Sequence, residues 1–576
     1  MSDARTRAIA AARHTVGRGM TAAGISPQSK AALLDAGRRV RDVRAQSPDD
    51  VGRAVLAELR AEFPASRPLR AAETLVRPTN PNRIAALIDR RRPEARAALR
   101  ERIGQVIGAL TGDRPAPDTD TTTLLARLET AVVDGAPDSY WLALAVLGAA
   151  LPDSDAVIRA ARVGQADGPL TALAEPLTAR LKMPTTPTRV EIVTDQVLVD
   201  MHHTAQTDLA TGIQRVARLS AQRWVRDHGV RLVGWTGQQT ALRPLTPAEA
   251  ERALHGGASD VNGESIGAPA VIVPWRATYV LPELVTERIR TDRIQALFRF
   301  SGSRTGVIGF DCVPITTAET VAPGMGAAFA TTMAAVAHCD RVATISQSAA
   351  SEYRGWRTML GGVGIAGPDI APVVLPVEAP EADPGQMAQA RNQLPAAPVP
   401  VVLCVGSHEP RKNHLALLHA AELLWREGVQ FALVFVGGNS WRNDGFTERL
   451  AALVEEDRPI STFRALDDAR LWAAYRIARC TVFPSLNEGF GLPVAESLAS
   501  GTPVITSGFG SMAEIAAQGG ALLIDPRDDN TLLDALRTML TDDAMHARLT
   551  AEAKARPIRT WDAYAGELWD YLVRGE

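Results

Sequence analysis

Two adjacent basic residues, Arg411 and Lys412, stand between an apolar run and a helical pattern in VVLCVGSHEPRKNHLALLHAAELL. The run Val401–Val405 predicts a buried strand that ends in a turn at Gly406, and the helical pattern begins near Lys412. In open α/β sheets, ligands bind at the carboxyl ends of strands, beside helix N-termini. Cations are unfavourable for the helix at that end but suit a bound anion. An arginine fork beside a lysine point charge therefore favours a diphosphate site over two solvated surface charges.

Two glutamates lie eight residues apart in CTVFPSLNEGFGLPVAESLASGTPVITS. The pattern predicts a strand over 480–485, a glycine-containing loop, and a helix whose first turn holds Pro493. Glu488 lies in the loop and Glu496 about one turn inside the helix, so both carboxylates can face one crevice and contact different parts of a ligand. Carboxylates accept hydrogen bonds from sugar hydroxyls, and exposed loop amides can meet anionic oxygens.

With these residues in place, PSLNEGFGLPVAES, GTPVITS and VGSHEPRKNH closely resemble the retaining glycosyltransferases of family 4, which have the GT-B fold. The resemblance spans roughly residues 190–576. It implies that Arg411 and Lys412 bind the diphosphate of a nucleotide-sugar donor. It also implies that Glu488 contacts the donor sugar, that Glu496 contacts the ribose, and that loop amides meet the sugar and phosphate. The loop residues are Gly489, Phe490, Gly491 and Leu492.

Further segments carry the same resemblance. LVDMHHTAQTDLATGIQRVARLS resembles the family's opening strand and glycine loop, which implies that Thr211 and Gly212 meet the diphosphate in front of a helix over 213–221. FRALDDARLWAAYRIA resembles the family's nucleotide-base loop and the helix that follows it.

The segment TGVIGFDCVPI departs from the family pattern, in which His often precedes Asp. Phe310 occupies the histidine position and Asp311 remains, so Asp311 is kept among the catalytic candidates. The histidine role is not transferred to His202 or His203. Two neighbouring histidines at a strand end are more typical of structural or acceptor-side residues.

Three other motifs fail their structural context. Residues 362–367 satisfy G-x-G-x-x-G, but no strand precedes them and Pro368 follows where a helix should start. Asp118–Asp120 and Asp153–Asp155 match the metal-binding D-x-D of other sugar transferases, but in a helical region Asp and Ser are typical helix caps. The ten histidines show no ligand spacing on one face, so neither a metal nor another cofactor is expected.

The hydrophobic pattern shows which elements must position these residues. Residues 1–185 are rich in Ala and Arg and have helical spacing. Apolar, mostly β-branched runs that alternate with helical stretches predict a Rossmann-like acceptor-side domain over 186–385 and a nucleotide-sugar-binding one over 386–555. A helix over 556–576 is expected to return to the first of them. The predicted fold class is α/β of GT-B type, with two doubly wound domains facing a cleft after an all-helical extension.

Composition excludes several classes of protein. The 576 residues are 46% hydrophobic and 22% charged, which is ordinary for a globular chain and too apolar for a disordered one. A net charge of −3 excludes a general polyanion binder, and four scattered cysteines exclude a disulfide framework or a zinc site. No apolar run approaches the length of about 18 residues needed to span a bilayer, and no secretory signal is recognised.

The charge is unevenly distributed along the chain. Residues 1–185 carry a net charge of +6 and the remainder −9. The basic segment is interpreted either as a solvated helical surface or as a docking surface for an anionic acceptor, a membrane or a partner protein.

The resemblance implies a metal-independent, retaining transfer of a hexose from a nucleoside-diphosphate sugar to a hydroxyl group. The TGIQRV opening resembles bacterial polysaccharide mannosyltransferases, so GDP-mannose is the first donor expected and a UDP-sugar the second. The acceptor stays open among a glycan, a lipid-linked sugar and a protein, and no nucleic acid is expected. The location expected is the cytoplasm, with peripheral contact of 1–185 to the inner face of the membrane as a further hypothesis.

Two competing hypotheses remain. One is a sugar phosphorylase or epimerase on the same fold, although the E-x7-E spacing favours transfer. The other is a non-catalytic scaffold that binds a nucleotide sugar or a glycan, with the basic extension as its working part.

Overall fold

The computed structural model describes residues 81–178, 188–207, 211–257 and 270–576, except positions 134, 382, 394–398, 439 and 465. The helices predicted within residues 1–80 and the segment 183–187 lie outside the described residues. The chain divides into two compact units, one of residues 1–143 with 158–187 and the other of residues 144–157 with 188–576.

Between residues 81 and 178 the described chain is helical, as predicted. The helices are α1 (Pro81–Asp89), α2 (Pro93–Thr111), α3 (Thr121–Ala131), α4 (Pro137–Gly148), α5 (Ser154–Asp167), α6 (Pro169–Ala172) and α7 (Ala174–Thr178). Several begin with proline, whose fixed φ and missing N–H suit a first turn. Buried apolar side chains of the first unit include Ile84, Ile88, Ile103, Leu125, Leu128 and Trp141.

The D-x-D segments cap helices in this region. The Asp120 carboxylate accepts a hydrogen bond from the backbone N–H of Thr123 at 3.0 Å, at the start of α3. Asp153 accepts one from Ala156 N–H at 2.8 Å, at the start of α5. Both carboxylates satisfy N–H groups that the first turn of a helix leaves without partners, as the sequence predicts.

The second unit contains two sheets, of which the first has nine strands. They are β1 (Val190–Val193), β2 (Val197–Asp200), β3 (Arg231–Trp235), β4 (Leu242–Pro244), β5 (Val271–Pro274), β6 (Thr278–Leu281), β7 (Arg304–Gly309), β8 (Arg341–Thr344) and β9 (Asp369–Pro372). Their order is β1-β5-β4-β3-β2-β6-β7-β8-β9. β4 runs antiparallel to β3 and β5, and the other pairs are parallel.

The helices of this first Rossmann-like half connect its strands. They are α8 (His202–Gln206), α9 (Gly212–His228), α10 (Pro247–His255), α11 (Arg288–Phe300), α12 (Val313–Thr316), a 3₁₀ turn (Ala318–Thr320), α13 (Met325–Val336) and α14 (Gln347–Gly361). The G-x-G-x-x-G segment follows the helix α14 and precedes the strand β9, which is the reverse of the strand-to-helix order of a dinucleotide fingerprint.

The second Rossmann-like half is an all-parallel sheet in the order β12-β11-β10-β13-β14-β15. Its strands are β10 (Val401–Val405), β11 (Ala432–Val436), β12 (Ile460–Phe463), β13 (Cys480–Phe483), β14 (Val504–Ser507) and β15 (Ala521–Ile524). Its helices are α15 (Pro384–Gln393), a 3₁₀ turn (Pro410–Lys412), α16 (His414–Arg426), α17 (Asp444–Glu455), α18 (Asp468–Ile477), α19 (Leu492–Ala499), α20 (Gly510–Ala516), α21 (Asp529–Thr541) and α22 (Asp543–Lys554).

The last helices pack on the first half. Helix α23 (Trp561–Trp569) continues into a π-helical turn (Asp570–Arg574). The indole of Trp224, on α9, donates to the carbonyl of Ala565 at 3.0 Å. A Cβ placed on Gly306, in β7, would lie 3.0 Å from the Cβ of Leu572. The segment after α22 therefore supplies part of the core beneath the first sheet.

The fold class predicted from the sequence is confirmed: the second unit holds two Rossmann-like parallel sheets with their helices, after a helical region. Within the described residues, no helix combines the length and the apolar character needed to cross a bilayer.

Candidate active site

The two cations predicted to bind a diphosphate lie between β10 and α16. The strand ends at Val405, and the 3₁₀ turn of Pro410–Lys412 comes just before α16 begins at His414. The ammonium group of Lys412 lies 4.7 Å from the centre of the Phe483 ring, at the end of β13. Arg411 and Lys412 thus stand at the carboxyl edge of two neighbouring parallel strands.

Glu488 lies between these two cations. Its Oε2 is 2.6 Å from Arg411 Nη1, and its Oε1 is 2.6 Å from Lys412 Nζ. Burial alone would raise the pKa of Glu488, but Lys412 and Arg411 outweigh burial and hold the pKa at about 2. Glu488 is therefore ionised at neutral pH, and its carboxylate pairs with both cations.

Side chains that the sequence did not single out hold this trio. The hydroxyl of Ser485 donates to Glu488 Oε1 at 2.6 Å, and Ser511 donates to the Glu488 carbonyl at 2.8 Å. Glu409 lies 3.1 Å from Arg411 Nη2, and Arg411 Nη1 also donates to the carbonyl of Asn487 at 2.7 Å. Ser485 and Asn487 flank Glu488 in the PSLNEG motif, and that proximity is the signal that could have identified them.

The glycine loop is pressed against the first half at Asp311. A Cβ added to Gly489 would lie 2.6 Å from Asp311 Oδ2, 2.9 Å from Asp311 Cβ and 2.9 Å from the Phe310 carbonyl oxygen. The Ser346 hydroxyl donates to the Gly489 carbonyl at 2.7 Å. Gly491, at φ +101°, caps α19 in a conformation that glycine adopts without strain. The structure thus brings Asp311 and the loop together.

The environment of Asp311 favours its protonated form. Burial raises its pKa to about 6, the Arg411 guanidinium opposes the rise, and Glu352 and Glu488 add to it. Its Oδ1 accepts from Val313 N–H at 3.1 Å. The preceding Phe310 is buried in the hydrophobic core, so its ring is a packing group at the position where the family pattern often has histidine.

Glu496 lies one turn inside α19, and each of its carboxylate oxygens has a protein partner. The Tyr475 hydroxyl donates to Oε2 at 2.8 Å, and Arg215 Nη1, from α9 of the first half, lies 2.7 Å from Oε1. Burial raises the pKa of Glu496, and Arg215 and Tyr475 oppose that rise without cancelling it. The sequence predicted Glu496 as a site residue but gave no indication of Arg215, which is 281 positions away.

Gly212 begins α9 and lies against the glycine loop of the second half. A Cβ added to it would lie 3.2 Å from Leu492 Cδ1, so the first residues of α9 and α19 are in contact. Two helix N-termini therefore meet at one place, where their backbone N–H groups favour an anion.

The two neighbouring histidines differ in role. His202 is buried and its Nδ1 accepts from Trp235 N–H at 3.1 Å, while burial, with help from Arg290, lowers the pKa of His202 to about 4. Its environment is that of a structural residue. His203 is half-buried, and its Nδ1 lies 3.0 Å from the side-chain amide nitrogen of Gln214 in the first turn of α9.

A buried ionic cluster that sequence reasoning missed supports this edge of the first sheet. Arg290 Nη2 lies 2.9 Å from Asp200 Oδ1 and 3.5 Å from Glu283 Oε1, and all three side chains are fully buried. The Glu283 carboxylate also accepts from the N–H groups of His203 and Thr204, at 2.7 Å each. The cluster thereby fixes α8 at the carboxyl end of β2.

Across the residues that the structure describes, no group of three or more His, Cys, Asp or Glu side chains is arranged to hold a metal ion.

Comparison with known proteins bears on the second half. Residues 387–556 match the family model of the glycosyl transferases group 1. The second Rossmann-like half is therefore similar to the glycosyl transferases group 1. It contains Arg411, Lys412, Glu488 and Glu496, together with the loop between the glutamates.

Curated relatives match longer stretches. The chain is 28% identical over 340 residues to the serotype-specific mannosyltransferase WbdA of Escherichia coli. The aligned region covers 56% of this chain and 39% of the relative. It is 35% identical over 252 residues to the D-inositol 3-phosphate glycosyltransferase of Acidothermus cellulolyticus, covering 42% of this chain and 54% of the relative. The chain thus spans about half the length, or less, of these relatives.

Among solved structures, the sucrose-phosphate synthase of Thermosynechococcus elongatus aligns with a TM-score of 0.47 and 18% identity, covering 66% of this chain and all of that one.

Proposed function

We propose that the protein is a retaining, metal-independent glycosyltransferase that moves a hexose from a nucleoside-diphosphate sugar to an acceptor hydroxyl. The observation that carries the proposal is that Arg411 and Lys412 both pair with Glu488. This trio lies at the carboxyl edge of the sheet, within the segment that matches the glycosyl transferases group 1.

The chemistry of transfer explains why such a site is useful. The difficult step breaks the anomeric C–O bond while negative charge builds on the departing diphosphate. Fixed cations beside helix N-termini stabilise that charge without reorganisation, and they do so without requiring a divalent metal. In the structure the single carboxylate of Glu488 pairs with both cations. On donor binding the cations would turn to the diphosphate, and Glu488 would orient the sugar through its hydroxyl groups.

The proposed stereochemistry follows the resemblance to retaining enzymes. The acceptor hydroxyl would attack from the face that the diphosphate leaves, and the departing phosphate would take the hydroxyl proton. Asp311 lies against the loop that follows Glu488, so in the proposed complex it would face the reacting sugar from the first half. Proton NMR of the product would check the stereochemistry, because retention requires the anomeric configuration of the donor.

Mannose is the sugar proposed first, with GDP-mannose as donor and a UDP-sugar as the second choice. The similarity to a protein described as a serotype-specific mannosyltransferase supports this choice. The acceptor proposed is a glycan, with a lipid-linked sugar or a protein as further candidates. The cytoplasm is the proposed location, with residues 1–185 as the segment that would contact a membrane or partner.

The first test is a thermal-shift panel with UDP, GDP, ADP and their sugar conjugates, with and without EDTA. A ligand at 100 times its dissociation constant stabilises the folded state by about 2.7 kcal/mol, a readily measured shift. A selective shift that EDTA leaves unchanged is the expected result. If no nucleotide shifts the melting temperature, the donor site is wrongly assigned and the hypothesis of a glycan-binding scaffold takes precedence.

The second test separates catalysis from binding. Lys412→Ala should lower donor turnover on the order of 10²-fold to 10³-fold, because it removes a preorganised positive charge that would stabilise the departing diphosphate. Lys554→Ala is the matched control, since Lys554 is an exposed lysine in the last turn of α22. A folded Lys412→Ala protein with full turnover would defeat the catalytic assignment. Nucleotide-sugar binding without any transfer or hydrolysis would favour a non-catalytic scaffold.

A further inference from the structure

The ion pair between Arg215 and Glu496 joins the two Rossmann-like halves at the proposed donor site. Arg215 lies in the first turn of α9, and Glu496 lies one turn inside α19. Because Gly212 touches Leu492, the two helices meet at their N-termini, and the Arg215 side chain spans the junction. The guanidinium is therefore held close to the point where two helix ends favour an anion.

The two partners of this pair differ in burial. The Glu496 side chain is 7% exposed, whereas the Arg215 side chain is 36% exposed. One nitrogen of Arg215, Nη1, binds the carboxylate, so part of the guanidinium faces accessible space. The other oxygen of Glu496 accepts from the Tyr475 hydroxyl, so both carboxylate oxygens have a protein partner.

We propose that Arg215 is a donor-binding residue that the first half contributes: its guanidinium, which pairs with Glu496 in the structure, turns to the diphosphate when a donor binds, and Glu496 then accepts from the ribose. The inference rests on the proposed function and deepens it, since it adds a third cation to the Arg411–Lys412 pair. It also makes the donor site incomplete until the two halves meet.

The charges around the site allow the three cations to exchange their carboxylate partners for a diphosphate. In the structure each of these three cations has a carboxylate partner: Glu488 for Arg411 and Lys412, and Glu496 for Arg215. A bound diphosphate adds negative charge next to all three cations, while the sugar and ribose offer hydroxyl groups to the released carboxylates. Arginine suits this exchange because its planar fork binds either a carboxylate or a phosphate.

The test compares a nucleoside with its diphosphate by isothermal titration of the full-length chain. Guanosine and GDP are titrated separately as one pair of ligands, and uridine and UDP as a second pair. The variants are Arg215→Gln, Arg215→Lys and Glu496→Gln. The matched control is Arg226→Gln, which makes the same charge change on the same helix at an exposed ion pair with Asp562. Melting temperatures of the unliganded variants identify any that fail to fold.

The expected result is a selective loss of the diphosphate contribution. Arg215→Gln should weaken diphosphate binding by about 10-fold to 100-fold, the range for a lost charge-assisted hydrogen bond, and leave nucleoside binding unchanged or tighter. Arg215→Lys should recover part of the loss. Glu496→Gln should weaken the nucleoside and its diphosphate by the same factor, and the Arg226→Gln control should change neither.

Three other results would overturn the inference. Equal losses for nucleoside and diphosphate in Arg215→Gln would show that Arg215 only orients Glu496. Unchanged affinities for both would show that the ion pair has no part in donor binding. A wild-type protein that binds none of the four ligands would refute the proposed function itself, and the inference with it.

Discussion

Gly489→Ala tests whether the contact between the two halves is required for turnover. The added methyl group would meet a side-chain oxygen and the Cβ of Asp311, as well as the Phe310 carbonyl oxygen, all within 2.9 Å. Two of these atoms, the Cβ and the carbonyl oxygen, cannot move away by a side-chain rotation. Overpacking of this kind costs about 1–3 kcal/mol, which lowers the population of the arrangement in which Gly489 contacts Asp311 by about 5-fold to 150-fold.

The assay for Gly489→Ala is donor turnover at saturating nucleotide sugar, with the melting temperature measured alongside. Turnover should fall by the same 5-fold to 150-fold if the contact must form in each catalytic cycle. Gly438→Ala is the control, because a Cβ at Gly438 meets nothing within 4 Å and its φ is not in the left-handed region. Equal turnover in the Gly489 and Gly438 variants would refute the requirement for this contact.

Three further predictions concern buried polar groups. Burial holds the pKa of Asp311 at about 6, above its value in the unfolded chain. The free energy of unfolding should therefore fall as the pH rises from about 4 to 6, because the folded state keeps a proton that the unfolded chain has lost. Asp311→Asn should remove that fall in melting curves measured across this pH range. Arg290→Met leaves Asp200 and Glu283 buried without their cation and should destabilise the protein by about 3–5 kcal/mol, a loss that neutralising both carboxylates should partly restore in denaturant titrations. Tyr475→Phe removes the donor to a buried carboxylate and should cost about 1–3 kcal/mol, seen as a lower melting temperature.

The elements around the site were predictable because their signals are local. The apolar run Val401–Val405 is β10, and Pro493 lies in the first turn of α19, both as predicted. Residues 190–200, by contrast, form two strands, β1 and β2, that are not neighbours in the sheet, and nothing local in the sequence indicates their separation. β4 is three residues long and antiparallel, too short for a period-2 pattern to reveal it.

Pairings between distant residues could not be predicted in the same way. Arg215 and Glu496 lie on helices of different Rossmann-like halves. Asp200 ends β2, whereas Arg290 lies on α11, 90 positions further along the chain. The spacing of the two glutamates identified Glu496, but no local pattern pairs it with Arg215 or pairs Asp200 with Arg290. The motif resemblance supplied candidate roles for Glu488 and Glu496, and the structure supplied the partners that each carboxylate has before any ligand binds.

The return of α23 to the first half has a consequence for synthesis on the ribosome. The core of that half includes Leu375 and Leu572, so its residues leave the ribosome at well-separated times. At about 5–20 residues per second, the interval is on the order of 10–40 s. During this time β7 lacks the cover that Leu572 provides, and all six strands of the second half are synthesised. The half made first is thus finished last, and its incomplete sheet is the surface that a chaperone would have to shield.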